Sequence, residues 1–156
     1  MVTNDSIAVE KHFNMVLRLA LARCGDKHRA DDVVQEVFYR FLKKDREFES
    51  EEHLKAWLIK VTINCSKNVF LDDFFRNTAE LTEEISFNDP EESDVYYAVL
   101  SLPSKYRTVI HLFYYEDMPI KEIAEILNTK ETTVKSQLHR AREMLKEKLK
   151  EDCEIV

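Results

Sequence analysis

At 156 residues the chain can form one domain or two small ones, and a single glycine with three prolines indicates a protein made almost entirely of helix. It contains no long apolar run, so we predict no membrane span. The first residues, MVTNDSIAVEKHF, have neither the basic region nor the apolar region of a signal peptide. Its three cysteines, Cys24, Cys65 and Cys153, are odd in number, far apart in the sequence and not arranged as CxxC pairs. We therefore expect free thiols in a reducing cytoplasm.

The net charge of −7 is concentrated in one segment. Between residues 72 and 94 nine acids stand against one base, so the remainder of the chain is close to neutral. The same segment lacks a steady helical period and contains Asn88, Asp89 and Pro90. We interpret residues 75–93 as a flexible acidic linker between two small helical domains at 1–74 and 94–156. The predicted fold class is all-α.

Three helical patterns fill the first half of the chain. The first runs from about Ser6 to Cys24 and is ended by Gly25, and the second runs from about Arg29 to Lys44. The third begins near Ser50, whose hydroxyl is placed to cap it, and extends past Asn68. We expect the side chains that face the core to be Ile7, Phe13, Val16, Leu17, Ala20 and Leu21 in the first helix and Leu54, Trp57, Leu58, Val61 and Cys65 in the third. In the second helix the apolar residues lie on more than one side, at Val33, Val34, Val37, Phe38 and Phe41.

The second half begins with two helical patterns, at about Ser93–Leu100 and Ser104–Tyr115, and continues with a helix pair. Pro119 suits the first turn of the next helix, and Asn128 suits the left-handed residue of a tight turn. The two helices of the pair each carry one apolar stripe, formed by Ile120, Ile123, Ala124 and Leu127 and by Val134, Leu138, Ala141 and Leu145.

The second helix of this pair presents a distinct outward face. At 3.6 residues per turn, the side chains that point away from its apolar stripe are Thr132, Ser136, His139, Arg140 and Glu143. Hydroxyl and basic groups on a second helix after a short turn are typical of a helix-turn-helix that reads DNA. Periodicity alone would equally fit any two amphipathic helices of a small bundle.

Four motifs extend the argument to the whole chain. They are RADDVVQEVFYRF, HLKAWLIKVTINCSKN, LSLPSKYRTVIHLFYYEDMPIKEIAEIL and TTVKSQLHRAREML, in that order, with the acidic segment between the second and third. In sequence, order and spacing they resemble bacterial RNA polymerase sigma factors of the extracytoplasmic-function group. A helix-turn-helix alone would be weak evidence, whereas four ordered motifs are strong evidence.

The resemblance implies a partner for the first motif. In the family this segment grips the clamp helices of the largest polymerase subunit, and the second half of the chain contacts the flap of the second-largest subunit. The expected docking residues are Asp32, Gln35, Glu36 and Phe38. Carboxylate and amide groups beside an aromatic suit a protein interface with a polar rim. Without the other motifs, an ordinary solvated helix face would be the preferred interpretation.

The resemblance assigns the second motif to the −10 promoter element, which the family recognises and helps to open. Amides can read an extruded base and lysines can hold phosphates, so the expected contacts to the non-template strand are Lys60, Asn64, Lys67 and Asn68. The family usually carries a basic run after this segment, but here only Arg76 is present. We expect weak contacts to the upstream duplex.

The fourth motif resembles the helix that reads the −35 element as duplex. Ser136, His139 and Arg140 are the expected base-edge contacts, and Thr133, Lys135 and Arg142 are the expected phosphate contacts. Gln137 stands where Arg is common, Lys130 where a capping Ser is common, and Thr132 where Gly is common. We expect these departures to change the promoter sequence that is read while leaving the fold intact.

The leading hypothesis is a cytoplasmic transcription initiation factor that binds core polymerase, directs it to promoters and assists strand opening. It would have no enzymatic activity and no cofactor, since the five histidines are scattered and one glycine cannot form a phosphate loop. The resemblance also implies an anti-sigma partner and a linker that threads through polymerase channels. The alternative is a stand-alone helix-turn-helix repressor or activator, which would bind a palindromic duplex as a dimer without polymerase.

Overall fold

We describe the fold from a computed structural model of the chain. It describes residues 5–43, 47–76 and 90–154, with side chains described over 5–43, 47–67 and 95–150. Every regular element within those ranges is helical, which confirms the all-α prediction. The elements are α1 (Asp5–Cys24), α2 (Lys27–Leu42), α3 (Glu51–Arg76), α4 (Pro90–Leu100), α5 (Ser104–Ile110), a π-helical segment (His111–Tyr115), α6 (Ile120–Leu127) and α7 (Glu131–Glu154).

The chain divides into two units, Met1–Glu80 and Leu81–Val156. In the first unit α1, α2 and α3 pack against one another, and in the second α4, α5 and α6 pack on α7. The residues at the two ends of the predicted linker are helical, because residues 75–76 complete α3 and residues 90–93 begin α4. The rest of that linker, residues 77–89, lies outside the described residues. The exact boundaries of the two domains therefore stay a prediction.

The turn between α1 and α2 follows from two adjacent residues. Gly25 has a φ of 70°, the left-handed conformation that glycine adopts without a Cβ clash, and its N–H closes α1 by donating to the Leu21 carbonyl at 2.8 Å. Asp26 then caps α2, since its carboxylate accepts from the His28 N–H at 3.1 Å. This cap explains why α2 begins at Lys27, earlier than the predicted start at Arg29.

α3 begins with the predicted Ser50 cap and a reciprocal bond that was not predicted. The Ser50 hydroxyl accepts from the His53 N–H, and the His53 ring accepts from the Glu49 N–H, both at 3.1 Å. The pair resembles a capping box, with His in place of the usual Glu or Gln, except that the reciprocal donor is the N–H of the residue before the cap. His53 also meets the ring of Phe48 edge to face, with centroids 5.3 Å apart. The start of α3 is thus fixed by both hydrogen bonds and aromatic packing.

The core of the first unit differs from the predicted apolar stripes in two helices. In α1, Ile7 and Phe13 are exposed rather than inward, and Leu19 is fully buried. In α3, Trp57, Val61 and Cys65 are only half-buried. The buried face of this helix is formed by Leu54, Leu58, Ile59, Thr62, Ile63 and Ser66. A stripe read from apolar residues alone misses this face because two of its members, Thr62 and Ser66, are polar.

These two hydroxyls are buried with their hydrogen bonds satisfied. Thr62 donates to the Leu58 carbonyl at 2.7 Å and Ser66 donates to the Ile63 carbonyl at 2.8 Å, both within α3. Ser66 also accepts from Nε of the buried Arg23 in α1 at 2.9 Å. Because each polar atom has a partner, the α1–α3 contact can hold polar side chains at little desolvation cost.

The helix predicted over Ser104–Tyr115 is interrupted. It is α-helical to Ile110 and then π-helical, with the Glu116 N–H donating to the His111 carbonyl at 3.2 Å. The segment ends where Asp117 takes a φ of 51°, a left-handed conformation that Asp tolerates better than most residues. The apolar period of residues 104–115 still predicted one α-helix, because a single wider turn leaves the spacing before it unchanged and alters only the direction of the side chains after it.

The helix-turn-helix has the predicted turn. Asn128 adopts φ 54° and ψ 51°, and the Thr129 N–H donates to the Ala124 carbonyl at 2.9 Å, which closes α6 with a Schellman-type bond. Pro119 lies immediately before α6 and its carbonyl accepts the first helical bond, from Ile123, at 3.1 Å. The predicted apolar stripe of α7 is buried at Val134, Leu138 and Ala141.

Candidate protein and nucleic-acid interfaces

The outward face of α2 carries three of the four side chains predicted to dock on polymerase. Asp32, Gln35 and Glu36 are exposed, within about one turn of each other on the same side of the helix. Phe38 differs from that prediction, since it is only 8% exposed and stacks on Phe13 of α1 with ring centroids 6.0 Å apart. It lies beneath the face, whereas Phe13, which was predicted to be buried, covers it and remains 41% exposed.

Two apolar residues extend this face and were missed from the sequence. Tyr39 is 53% exposed and Leu42 is 59% exposed, one and two turns after Gln35. Lys43 lies over the Tyr39 ring at 4.5 Å and fixes its outer edge. The helical wheel that was applied to α7 would have found both residues on α2. We call Asp32, Gln35, Tyr39 and Leu42 the α2 face.

Glu36 is engaged within its own helix. Its carboxylate accepts from Nε of Arg40 at 2.9 Å, a hydrogen bond that raises the pKa of Arg40. Cys65 of α3 lies close enough to interact with this pair, and burial raises the pKa of its thiol. The thiol is therefore protonated at neutral pH and is a poor nucleophile. It contributes packing between α2 and α3.

The exposed face of α3 brings together the residues predicted for the −10 element. Lys60, Asn64 and Lys67 follow one another at four and three residues, so they share one side of the helix, and all three are exposed. The backbone of Asn68 continues α3, but its side chain lies outside the described residues. We call Lys60, Asn64 and Lys67 the α3 face.

The outward face of α7 holds the predicted −35 residues and one further participant. Ser136, His139 and Arg140 are exposed as expected. Glu143 lies between the last two, with its carboxylate 3.3 Å from Nε2 of His139 and 3.9 Å from Nη1 of Arg140. The carboxylate thus holds both side chains on the same side of the helix. It was recognised in the sequence as outward, but not as their common partner.

The predicted phosphate contacts lie at the edges of the same helix. Lys135 and Arg142 are exposed on one flank, and Thr133 is half-buried on the other. Arg142 is bound to a different element, since its Nε donates to the Tyr114 hydroxyl at 2.6 Å. Its guanidinium carbon also lies 5.5 Å from the ring centroids of Phe113 and Tyr114. This contact with a residue of the π-helical segment was not predicted from the sequence.

The described residues show no sign of a metal centre or membrane helix. Within residues 5–43, 47–67 and 95–150, no three His, Cys, Asp or Glu side chains cluster as metal ligands do. Over the part of the chain described by the structure, no helix is both long and apolar enough to cross a bilayer.

The sequence matches two family profiles that together cover most of the chain. Sigma-70 region 2 matches residues 8–77, which contain the α2 and α3 faces. Sigma-70 region 4 matches residues 93–145, which contain Ser136, His139 and Arg140 on the outward side of α7, here called the α7 face. Among curated relatives, the ECF RNA polymerase sigma factor SigM of Bacillus subtilis is 30% identical, over 93% of this chain and 94% of its own length. SigW of the same species is 28% identical, over 92% and 87% of the two chains.

Solved structures agree on the fold. The sigma factor RpoE of Bartonella quintana, solved in complex with the anti-sigma factor NepR, has a TM-score of 0.75 at 22% identity and covers 93% of this chain and 96% of its own. CnrH, solved with the cytosolic domain of CnrY, has a TM-score of 0.60 at 22% identity, over 95% and 88% of the two chains. Because both family profiles fall on the units that carry the three faces, and SigM is matched over nearly its full length, this chain belongs to the extracytoplasmic-function sigma factors, which direct RNA polymerase in transcription initiation.

Proposed function

We propose that the three helix faces divide the work of promoter selection. The α2 face binds core polymerase, the α3 face contacts the −10 element as its strands separate, and the α7 face reads the −35 duplex. The single observation that carries this division is the chemistry of the faces. Carboxylate, amide and apolar groups lie on α2, amide and lysine groups lie on α3, and hydroxyl and basic groups lie on α7.

The α2 face suits a protein partner better than DNA. Asp32 would be repelled by phosphates, while Tyr39 and Leu42 offer apolar area of the kind that forms the centre of protein interfaces. The clamp helices of the largest polymerase subunit are the proposed partner, and the second unit would contact the flap of the second-largest subunit. Phe38 supports the face from beneath, by its stack on Phe13.

The α3 face suits single-stranded DNA. Asn64 offers both a donor and an acceptor to the edge of an extruded base, and Lys60 and Lys67 on either side can neutralise phosphates. With two cations the face has little affinity of its own, so it acts once polymerase has brought the strand to it. Asn68 is retained in this role from the sequence motif.

The α7 face suits the major groove. Arg140 can form a bidentate pair with guanine, and Ser136 and His139 lie on the same outward side. Glu143 keeps His139 and Arg140 together before DNA is bound. Lys135, Thr133 and Arg142 would hold the backbone on both edges of the groove.

The remaining features of the proposal concern partners and chemistry. The protein acts in the cytoplasm, where polymerase is, and it has no catalytic activity of its own, since polymerase supplies the reaction. An anti-sigma factor would cover the faces between episodes of use. The structural relatives solved with NepR and CnrY support this partner, as do exposed apolar side chains on the first unit. The acidic linker would run through basic polymerase channels.

In vitro transcription with core polymerase over a library of promoter-like sequences tests this proposal. The full chain should co-purify with core and support initiation only from templates that carry a −10 and a −35 element at fixed spacing. A stand-alone repressor would instead bind a palindromic duplex without core and support no initiation. Equal transcription from every template would contradict the assignment of the α3 face to the −10 element and of the α7 face to the −35 element.

A further inference from the structure

The two flanks of α7 differ in charge. At about 100° per residue, Lys135, Arg142 and Lys146 project within about 40° of one another, on one side of the base-reading face. All three are exposed. On the opposite flank, the matching residues Thr133 and Gln137 are uncharged. The helix therefore presents a cationic edge of at least three turns beside its outward face.

Only one of these cations is held by another element through a contact in the described structure. The Nε atom of Arg142 donates to the Tyr114 hydroxyl at 2.6 Å, and the guanidinium carbon lies 5.5 Å from the ring centroids of Phe113 and Tyr114. Those two rings meet edge to face at 4.9 Å. One of the five guanidinium N–H donors is used, which leaves the four on the two Nη atoms for a further acceptor.

The π-helical segment explains why a tyrosine is available there. His111 and Leu112 in the same segment are buried, yet Tyr114 is 50% exposed and presents its hydroxyl to α7. A π turn is wider than an α turn, so it changes the direction of the side chains that follow, and such turns are frequent at functional sites. Because Tyr114 is half exposed and contacts a basic side chain beside the α7 face, packing of the core does not account for its position.

We propose that Tyr114 is a positioning residue for DNA binding. Its hydroxyl and ring hold the Arg142 guanidinium in the orientation that meets a backbone phosphate, with Lys135 and Lys146 following the same strand. A guanidinium that is already ordered loses less conformational entropy when it binds, so the pair increases affinity without reading sequence. The inference rests on the proposed role of α7 at the −35 duplex.

The test uses the full chain with core polymerase, transcription from the promoter library, and three variants. Tyr114→Phe keeps the ring and removes the hydroxyl, and we expect it to lower output about 3-fold on every active promoter. Arg142→Ala should lower output about 10-fold, and it should flatten the salt dependence because one phosphate contact is lost. The double variant should match Arg142→Ala, since Tyr114 acts through Arg142.

Two controls separate positioning from general packing. Tyr106→Phe removes a hydroxyl from a half-buried tyrosine of the same unit and should leave output unchanged. Arg142→Lys keeps the charge but loses the planar contact with the rings, so it should lower output about as much as Tyr114→Phe does. In the Arg142→Lys background, adding Tyr114→Phe should cause no further loss. A purely structural tyrosine would act equally in all Arg142 backgrounds.

The outcomes that overturn the inference differ from those that overturn the proposed function. Normal output from Tyr114→Phe, or a loss that persists undiminished beside Arg142→Ala, would remove the positioning role. A change in which promoter sequences are used would also contradict it, because a phosphate contact carries no base preference. Failure of the unsubstituted protein to initiate from any promoter with core would instead contradict the role of α7 itself.

Discussion

The two units present outward helix faces of opposite character. In the first unit α2 offers carboxylate, amide and apolar groups, and in the second α7 offers hydroxyl, imidazole and guanidinium groups. Both helices are equally regular and both bury an apolar stripe. This difference indicates that the solvent-exposed side chains of a helix are the guide to its partner. The net charge of −7 is a poor guide, because it is dominated by residues 72–94.

The first unit also holds both kinds of surface. The α3 face, with Lys60, Asn64 and Lys67, is basic and amide-rich, yet α3 packs directly on α2. On the proposed assignment, a single three-helix unit holds the polymerase-binding face and the strand-binding face on neighbouring helices. In the second unit the proposed DNA face belongs to α7, against which the other helices pack. The comparison predicts separable losses when each face is altered.

The largest separable loss is expected from Arg140→Ala. Removal of a bidentate contact to guanine costs about 1–3 kcal/mol, so we expect transcription that depends on the −35 element to fall roughly 10- to 100-fold. Co-purification with core polymerase should be unchanged, since the α2 face is intact. In vitro transcription and a core-competition assay measure the two effects on the same variant.

Lys105→Ala is the matched control for this substitution. Lys105 is an exposed cation of the same unit that belongs to α5 and lies over the Tyr106 ring. Its loss should leave transcription unchanged, although it changes the net charge by the same amount. Undiminished transcription from Arg140→Ala would show that the −35 assignment is wrong, and a loss of core binding would break the comparison between the units.

The converse loss is expected when Asp32→Ala is combined with Gln35→Ala. Both side chains are exposed on α2, so their removal takes polar contacts from the interface without a cavity in the core. We expect about a fivefold lower affinity for core polymerase, measured by competition with the unsubstituted protein. Glu10→Ala, an exposed acid on α1, is the control. Unaltered competition by the double variant would exclude this docking face.

The sequence predicted the regular parts of both units and their faces. The stops at Gly25 and Asn128 and the outward side of α7 depend on local rules, and the structure shows all three. The predictions failed where a side chain found a distant partner. Ser66 is buried because Arg23, 43 residues away, donates to it, and Phe38 is buried because Phe13 lies over it. Neither pairing can be read from one helix alone.

The contact between Arg142 and Tyr114 illustrates the same limit at the site. Arg142 was placed on the correct flank by counting residues, but its partner lies 28 residues earlier in the chain. That partner is exposed because of one π turn, which the apolar period of residues 104–115 does not reveal. Sequence reasoning thus identified which residues face outward, and the structure added which of them are held in place.

A smaller effect is expected at the turn of the helix-turn-helix. Asn128 is held at φ 54°, so Asn128→Ala should cost about 1 kcal/mol of unfolding free energy, because an alanine Cβ clashes in the left-handed region. Asn128→Gly should be neutral or slightly stabilising. Denaturant unfolding followed by circular dichroism measures both. Equal stability of the alanine variant would mean that this turn does not require the left-handed residue.

The smallest effect, and the only one that depends on pH, is expected in the first unit. Glu51 at the start of α3 lies 3.3 Å from Lys11 and 3.3 Å from His12 of α1, and its pKa is lowered, chiefly by the hydrogen bond from Lys11. A carboxyl whose pKa is lower in the folded state stabilises that state above its unfolded pKa and loses this contribution as the pH falls through the folded pKa. Glu51→Gln should therefore be slightly less stable than the unsubstituted protein at pH 7, and the difference should disappear below about pH 4. Glu52→Gln, which removes an exposed carboxylate one residue along the same helix, is the matched control for the change of charge. A difference at Glu51 that persists unchanged at low pH would mean that the ion pair does not link α1 to α3.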